Sequence, residues 1–277
     1  MLQGSQGTFG IITWSTIKCE VLPRIQKPFI AAGEDLETLL EFGYRLVRLR
    51  LGDELFILNG KNLASLLEKD GEAIRDLKEA LPTWVLLFCL AGYEYLPEER
   101  VEYQEKDVKE VGQRIGVKIS EAVAGISAEK LLRTASNPSE EPYWKIREKG
   151  GCQDIYFITS FNAVPKLVNL MGEICGREGY PPSEVGVYIQ PVCQGHGHHC
   201  EFRLPYDPTD SSQKEIVKSL YLRASKTLME NGAFFSRPYD LLADIVFDRD
   251  AVAREVLRRL KNVFDPKNIM NPGKLCF

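Results

Sequence analysis

The chain has 277 residues, a formal net charge of −4 and 44% hydrophobic residues, enough for one large or two modest domains with a proper core. Acids and bases are scattered without a basic stripe, so nucleic acid is not an expected partner. No apolar run reaches the roughly 18 residues that suggest a membrane span, and Met1–Ser5 lacks the charged-then-apolar pattern of a signal peptide.

The chain opens on a glycine-rich turn, Gly4 to Gly10, that runs into an expected strand at Ile11–Thr13. Such a turn brings backbone N–H groups close to a ligand, because glycine lacks the Cβ that obstructs approach. Phe29–Ala31 reads as a strand. Leu36, Leu39, Leu40, Gly43 and Val47 recur at helical spacing, and Leu55–Leu58 reads as a strand closed by Asn59-Gly60. A helical stretch follows. The longest apolar run starts at Trp84 and ends at Ala91, as expected for a central strand covered on both faces. Val101, Val108, Val111 and Ile115, set among charges, predict an exposed amphipathic helix. The segment from Ser136 to Gly151 is expected to be a loop, either a lid or a connection.

The second half echoes the first. Ile155–Ile158 reads as a strand, and Val164, Leu167, Val168, Met171 and Ile174 as one helix face. Val185, Val187 and Ile189 alternate with polar or small residues, as do Phe202 and Leu204; Val217 to Leu228 gives another helix. The β-α-β order in both halves predicts an α+β layer, helices on one side of a sheet and a polar surface on the other. A helix with Val252, Val256, Leu257 and Leu260 then precedes a turn carrying Pro266, Pro272 and Gly273.

The cysteines, Cys19, Cys89, Cys152, Cys175, Cys193, Cys200 and Cys276, are dispersed without a C-x-x-C pair. That usage reads as reduced thiols in a cytoplasmic protein, and it lacks the ligand spacing of an iron–sulfur cluster.

Both ends of the chain resemble the FAD-linked oxidases. Gly4-Ser5-Gln6-Gly7-Thr8-Phe9-Gly10-Ile11-Ile12-Thr13 is similar to the G-S-x-G-T-x-G-I-x-T segment late in their FAD-binding domain. Asp265-Pro266-Lys267-Asn268-Ile269-Met270-Asn271-Pro272-Gly273-Lys274 resembles their D-P-x-x-I-x-N-P-G-K tail. The stretch from Gln190-Pro191 to His199-Cys200-Glu201-Phe202 looks most like the vanillyl-alcohol oxidase and para-cresol methylhydroxylase branch. Where the glycolate oxidase and D-lactate dehydrogenase branch carries an E-H-G motif, this chain reads Asn231-Gly232-Ala233-Phe234-Phe235-Ser236-Arg237-Pro238-Tyr239, a departure that bears on a 2-hydroxy-acid substrate.

The resemblance implies an antiparallel sheet of ferredoxin-like halves, covered by helices on one face. It divides the chain into 1–24, the end of a FAD-binding domain; 25–235, a substrate cap; and 236–277, a return to the FAD-binding domain. The implied cofactor is FAD, and the implied activity is hydride transfer from an alcohol, alkylphenol or hydroxy-acid-like substrate. A complementary FAD-binding lobe, on another chain or upstream, is the implied partner, with an electron-transfer partner possible in this family. Gly4, Ser5, Gly7, Thr8, Gly10 and Ile11 would cradle FAD, and Asn271 and Lys274 would lie near its ring or phosphates.

All three histidines fall within residues 196–199. Three readings stand: His199 and His196 orient substrate or act as acid–base groups, the cluster binds a divalent metal with Glu201, or they are exposed loop residues. Strand parity puts His199, Glu201 and Arg203 on one face. Arg237 would pair with a carboxylate or stabilise a phenolate or reduced flavin anion, and Tyr239 would hydrogen-bond a phenol, against an interdomain salt bridge and a packed aromatic. Tyr188 and Gln190 are substrate-wall candidates by parity.

Overall fold

The computed structural model describes residues 4–137 and 139–277, without the side chain of Cys193. Met1–Gln3, part of the signal-peptide reading, and Pro138 of the central loop lie outside the described residues.

The first half runs β1 (Ile25–Gly33), α1 (Leu36–Arg48), β2 (Glu54–Asn59), α2 (Gly60–Leu67), α3 (Gly71–Ala80), β3 (Trp84–Gly92), α4 (Pro97–Ile115) and β4 (Ile119–Ser120). A small hairpin, β5 (Ala122–Val123) with β6 (Ile126–Ser127), and α5 (Ala128–Ser136) follow. The second half runs β7 (Gly151–Ser160), α6 (Val164–Arg177), β8 (Gly186–Val192), β9 (Gly197–Tyr206) and α7 (Ser211–Glu230), and the chain closes with α8 (Leu241–Phe247) and α9 (Ala251–Phe264). Aspartates set the start of several helices: Asp35 Oδ2 accepts the Thr38 N–H of α1 at 3.0 Å, and Asp210 Oδ1 accepts the Ser212 N–H of α7 at 2.9 Å.

All strand pairs in the seven-stranded sheet are antiparallel, in the order β4-β1-β3-β2-β8-β9-β7. The first half is a ferredoxin-like β-α-β-β-α-β unit of order 4-1-3-2. The second repeats it, but its fourth strand shrinks to one bridge, Ile158 with Phe234. The echo in the sequence is therefore a duplicated topology.

The halves meet edge to edge where β2 pairs β8, Ile57 opposite Ile189 and Leu58 opposite Tyr188. Asn59 lengthens this short ladder with its side chain. Its Nδ2 donates to the Val185 carbonyl at 2.8 Å, and its Oδ1 accepts the Val187 N–H at 2.8 Å and the Asn62 N–H at 3.0 Å.

One face of the sheet is packed by α1, α4, α6 and α7 around Phe42, Phe88, Phe157 and Phe202. The expectation of helices on one face alone is corrected over the first half. There α2, α3 and α5 cover the opposite face around Ile30, Leu63, Leu87 and Leu131. The reason is visible in the strand between them: every residue of β3 is buried, as its unbroken apolarity requires. Only β8, β9 and β7 keep a polar second face.

The glycine turn does not run into a strand, a second correction. Residues 10–23 have no regular structure, and Ile11, Trp14, Ile17 and Leu22 are exposed. A β-strand exists only through a ladder partner, and residues 11–13 have none among the described residues.

Asn59→Ala removes a helix cap and leaves the Val187 N–H and Val185 carbonyl unpaired at the joint. The expected loss is about 3 kcal/mol of unfolding free energy, measured by denaturant titration. A loss below about 0.5 kcal/mol, the usual scatter of neutral surface changes, would contradict this account of the joint.

Candidate functional site

The polar face is built by register. Tyr188 and Tyr156 both stand opposite Glu201, Gln190 and Ile158 opposite His199, and Asp154 opposite Arg203. Paired residues share a face, so Tyr188, Gln190, His199, Glu201, Tyr156 and Asp154 form one surface across three strands. The Tyr188 ring lies 6.1 Å from the His199 ring, edge to face, and the Tyr156 ring lies 6.4 Å from it. Arg237 stacks its guanidinium 4.9 Å over the Tyr156 ring. Tyr156 in turn donates its hydroxyl to the Arg237 carbonyl at 3.4 Å.

The loop expected to be a lid or a connection supplies a residue that the sequence reading missed. Lys145, in the 3-10 turn Trp144–Ile146, is buried and reaches Asp154 Oδ2 at 2.8 Å and the Glu201 carboxylate. Burial pulls the Lys145 ammonium down, but Glu201 and Asp154 outweigh it and hold it above its ordinary value. Burial pushes the Glu201 carboxyl up, against the pull of Lys145. Burial also lifts the Tyr188 and Tyr156 phenols to about 12. Burial, Arg237 and Lys145 together press the His199 imidazole below its usual value. Near neutral pH this surface therefore presents a neutral imidazole, two neutral phenols and a guanidinium.

The histidines do not act as a cluster. Successive strand residues point to opposite faces, so His198 turns into the helix layer against Phe161, with rings 5.7 Å apart. Its Nδ1 has no partner, and burial drives its pKa to about 4. His196 is exposed in the turn before β9, beside Arg48 Nη1 at 3.4 Å. Its place beside His199 in a shared site is corrected: the turn carries Gln194 and Gly195 at positive φ and points His196 toward α1. Among the described residues, no three His, Cys, Asp or Glu side chains gather as a metal site. Arg203 shares the parity of His199 and Glu201 but is wholly buried. It donates to Ser65 Oγ at 2.6 Å under α2 and lies 5.1 Å from the Trp144 ring. Tyr239 sits exposed on the turn after Arg237, at the outer edge of β7 rather than on the face itself.

The two ends of the chain meet beside the turn that carries Arg237, where Gln6 Nε2 donates to the Pro238 carbonyl at 2.6 Å. Ser5–Thr8 is a tight turn closed by Thr8 N–H to the Ser5 carbonyl at 3.0 Å, with Gln6 and Gly7 both at positive φ. Lys261 of α9 holds it to the tail. Its Nζ donates to the Thr8 carbonyl at 2.6 Å, Asp265 Oδ2 at 2.6 Å and the Met270 carbonyl at 2.7 Å. Asp265 also accepts the Ile269 and Met270 N–H groups. Phe9 packs edge-on against Phe264 and Phe277. Asn271 Nδ2 donates to the Gln6 carbonyl at 2.5 Å, and Lys274 pairs Asp240 at 2.7 Å.

These contacts test the fit of a flavin dinucleotide. Gly4, Gly7 and Gly10 all take φ values of 75–158°, and nothing lies within 4 Å of where a Gly10 Cβ would stand. The backbone at Gly7, Gly10 and Ile11 is accessible, whereas the Ser5 carbonyl is taken by Thr8, and the side chains of buried Thr8, exposed Asn271 and partly exposed Lys274 are satisfied within the chain. The turn fits a backbone cradle; the two tail side chains would have to exchange partners to reach a ligand.

Comparison with known proteins agrees with the tail. The family model described as FAD linked oxidases, C-terminal domain, matches residues 247–275. The chain is similar in sequence and in fold to FAD-linked oxidases. It is 25% identical over 294 residues to D-lactate dehydrogenase [cytochrome], mitochondrial, of Kluyveromyces lactis, covering 99% of this chain and 46% of that protein. It is 25% identical over 205 residues to a D-lactate dehydrogenase of Archaeoglobus fulgidus, covering 63% of this chain and 45% of that one. Among solved structures, p-cresol methylhydroxylase with substrate bound superposes with a TM-score of 0.71 at 17% identity, over 92% of this chain and 53% of that one. The chain thus spans about half the length of the relatives it matches. Sequence likeness reaches proteins named for a hydroxy acid; fold likeness reaches one named for a cresol.

Two outcomes follow from the charges. Lys145→Met strands Glu201 and Asp154 without their cation, so the Glu201 carboxyl should titrate at higher pH, read by carboxyl NMR, with about 3 kcal/mol lost from stability. An unmoved Glu201 titration would show that Lys145 does not govern it. At the tail, burial raises Asp265 but Lys261 and the two amides outweigh it, holding the carboxyl below its ordinary value. Its contribution is present above the ordinary carboxylate pKa and is lost as pH falls through the lower folded value. Acidification should therefore release the tail, and the Ile269 and Met270 amides should lose protection relative to their intrinsic exchange rates below that pH in the parent. In Asp265→Asn the same amides should already exchange fast at neutral pH.

Proposed function

We propose that the chain forms the substrate-facing part of an FAD-dependent oxidoreductase. The observation that carries this reading is the union of the glycine turn with the tail through Lys261, which reaches the Thr8 carbonyl across 253 positions of sequence and holds Asp265 and Met270 of the tail. When bound, the flavin supplies the hydride acceptor. The chain's own residues grip and position. The Gly4–Ile11 backbone approaches the cofactor, and the Tyr156–Tyr188–His199 face forms the wall against which an alcohol, alkylphenol or hydroxy-acid-like substrate lies. Arg237, stacked on Tyr156, binds a substrate carboxylate or phenolate oxygen, and the neutral His199 imidazole accepts a hydroxyl proton. Gln190 and the Glu201–Lys145 pair fix the polar floor.

A second reading is a non-catalytic subunit that keeps the fold without flavin. It is favoured by Asn271 and Lys274, whose side chains already have partners in the chain. Among the described residues no helix is long and apolar enough to cross a membrane. The dispersed single cysteines favour a reducing compartment such as the cytoplasm.

Flavin binding separates the readings. Half the length of the relatives is not represented here, and the apolar flank of α9 with Val252, Val256 and Val263 exposed offers a surface for a complementary FAD-binding lobe. FAD titrated into the 277-residue chain alone should bind weakly. Titrated into the chain co-expressed with such a lobe, it should bind stoichiometrically and raise the melting temperature by mass action. Sub-micromolar binding by the chain alone would remove the need for a partner lobe; no binding by either would favour the non-catalytic subunit.

A further inference from the structure

The duplicated topology leaves one strand position open. In the first half, β4 pairs with Ile30 and Ala31 of β1, and the β5–β6 hairpin lies beside the same strand. In the second half, among the described residues, only Phe234 pairs with β7 by its backbone at the equivalent place, exchanging both hydrogen bonds with Ile158 at 2.8 Å, while Arg237 meets Tyr156 through its side chain and carbonyl. The chain then leaves the edge, because Pro238 has no N–H to donate and Asp240 turns back at positive φ.

An antiparallel strand shows both backbone groups of alternate residues on the same edge. Ile158 faces outward, so Tyr156, Asp154 and Cys152 do too. Their amide N–H groups have no backbone or side-chain acceptor beyond the sheet among the described residues; only the Asp154 carbonyl is engaged, by Gln153 Nε2 at 3.2 Å. Beside this edge lies an open cavity of about 520 Å³ between β7, α7 and the 237–242 turn. The outward-facing stretch spans about 13 Å at roughly 3.3 Å per residue, room for a short strand.

The charges choose the occupant. Asp154 and Asp240 on the cavity wall are taken by Lys145 at 2.8 Å and Lys274 at 2.7 Å. Lys214, Lys218 and Arg237, also on the wall, form no ion pair among the described residues. Tyr221 and Val217 supply apolar surface between them. A second copy paired edge to edge would set these cations against their own copies, which is unfavourable. We propose that the β7 edge takes up an extended acidic segment of a partner protein as an antiparallel strand, its carboxylates facing Lys214 and Lys218. This mode draws affinity from main-chain hydrogen bonds and selectivity from side chains at alternate positions. It does not depend on flavin binding.

The probe is a fluorescein-labelled, blocked hexapeptide, Glu-Val-Glu-Val-Glu-Val, titrated into the 277-residue chain by fluorescence anisotropy, with two controls. One is the Lys-Val counterpart; the other is the acidic peptide N-methylated at alternate residues, which removes its ladder donors. Saturable binding of the acidic peptide is expected, at least tenfold weaker for both controls and for Lys214→Glu/Lys218→Glu. Hydrogen exchange should show the Asp154 and Tyr156 amides fast in the free chain and protected with peptide. Circular dichroism melts of the double variant separate lost binding from lost folding. The proposal is overturned by no binding at millimolar peptide, by equal binding of either control, by amides already protected in the free chain, or by a dimer in sedimentation that is abolished by the charge reversal.

Discussion

The arrangement depends on a buried group of charges at the joint between the halves. Lys61 of α2 is 3% exposed and lies between Glu148 and Glu184, the latter at 3.0 Å. Wholly buried Arg203 of β9 meets Ser65 of α2 and lies 3.6 Å from Glu148. The first half supplies one lysine and one hydroxyl, the loop between the halves Glu148, and the second half Glu184 and the arginine. An unpaired charge in such a place costs several kcal/mol, so neither half tolerates a shifted register against the other. Two backbone pairs alone would leave β2 and β8 free to slip.

That joint decides which surface faces outward. With β2 and β8 in register, α2 covers Arg203 on the second face of β8, β9 and β7, and the polar residues beyond it, Tyr188, Gln190, His199, Glu201 and Tyr156, remain only half-buried. Partial burial is what turns them into chemistry. It lifts the Tyr156 and Tyr188 phenols further above their ordinary values and, with Arg237 and Lys145, presses the His199 imidazole below its own, while Lys145 holds Glu201 and Asp154. A fully exposed face would leave ordinary pKa values, and a fully covered one would admit no substrate.

Much of the fold was legible from residue pattern. Alternation at Val187 and Ile189 and at Phe202 and Leu204 marked the strands, and unbroken apolarity from Trp84 marked the strand covered on both sides. Parity placed Tyr188, Gln190, His199 and Glu201 on a common face, and the same rule applied to Ile155-Tyr156-Phe157 would have added Tyr156. What escaped were relations set by tertiary contact. Lys145 sits in a loop whose composition marks only a turn, and its role comes from two acids on other strands. Arg203 has the parity of a site residue but falls beneath α2 and Trp144, a covering no local pattern encodes. The histidine cluster misled because nearness along a strand places neighbours on opposite faces. Ile11–Thr13 has strand composition, yet composition cannot supply the ladder partner.

The central claim is that the polar face and the glycine turn address the same flavin. Hydrogen exchange on the chain assembled with a complementary FAD-binding lobe, compared with and without FAD, tests it most directly. The account predicts that FAD slows exchange both at Gly4–Ile11 and along Gly197–Arg203 of β9, while α2 and β3 stay unchanged. Protection confined to the lobe, with neither segment affected, would contradict it.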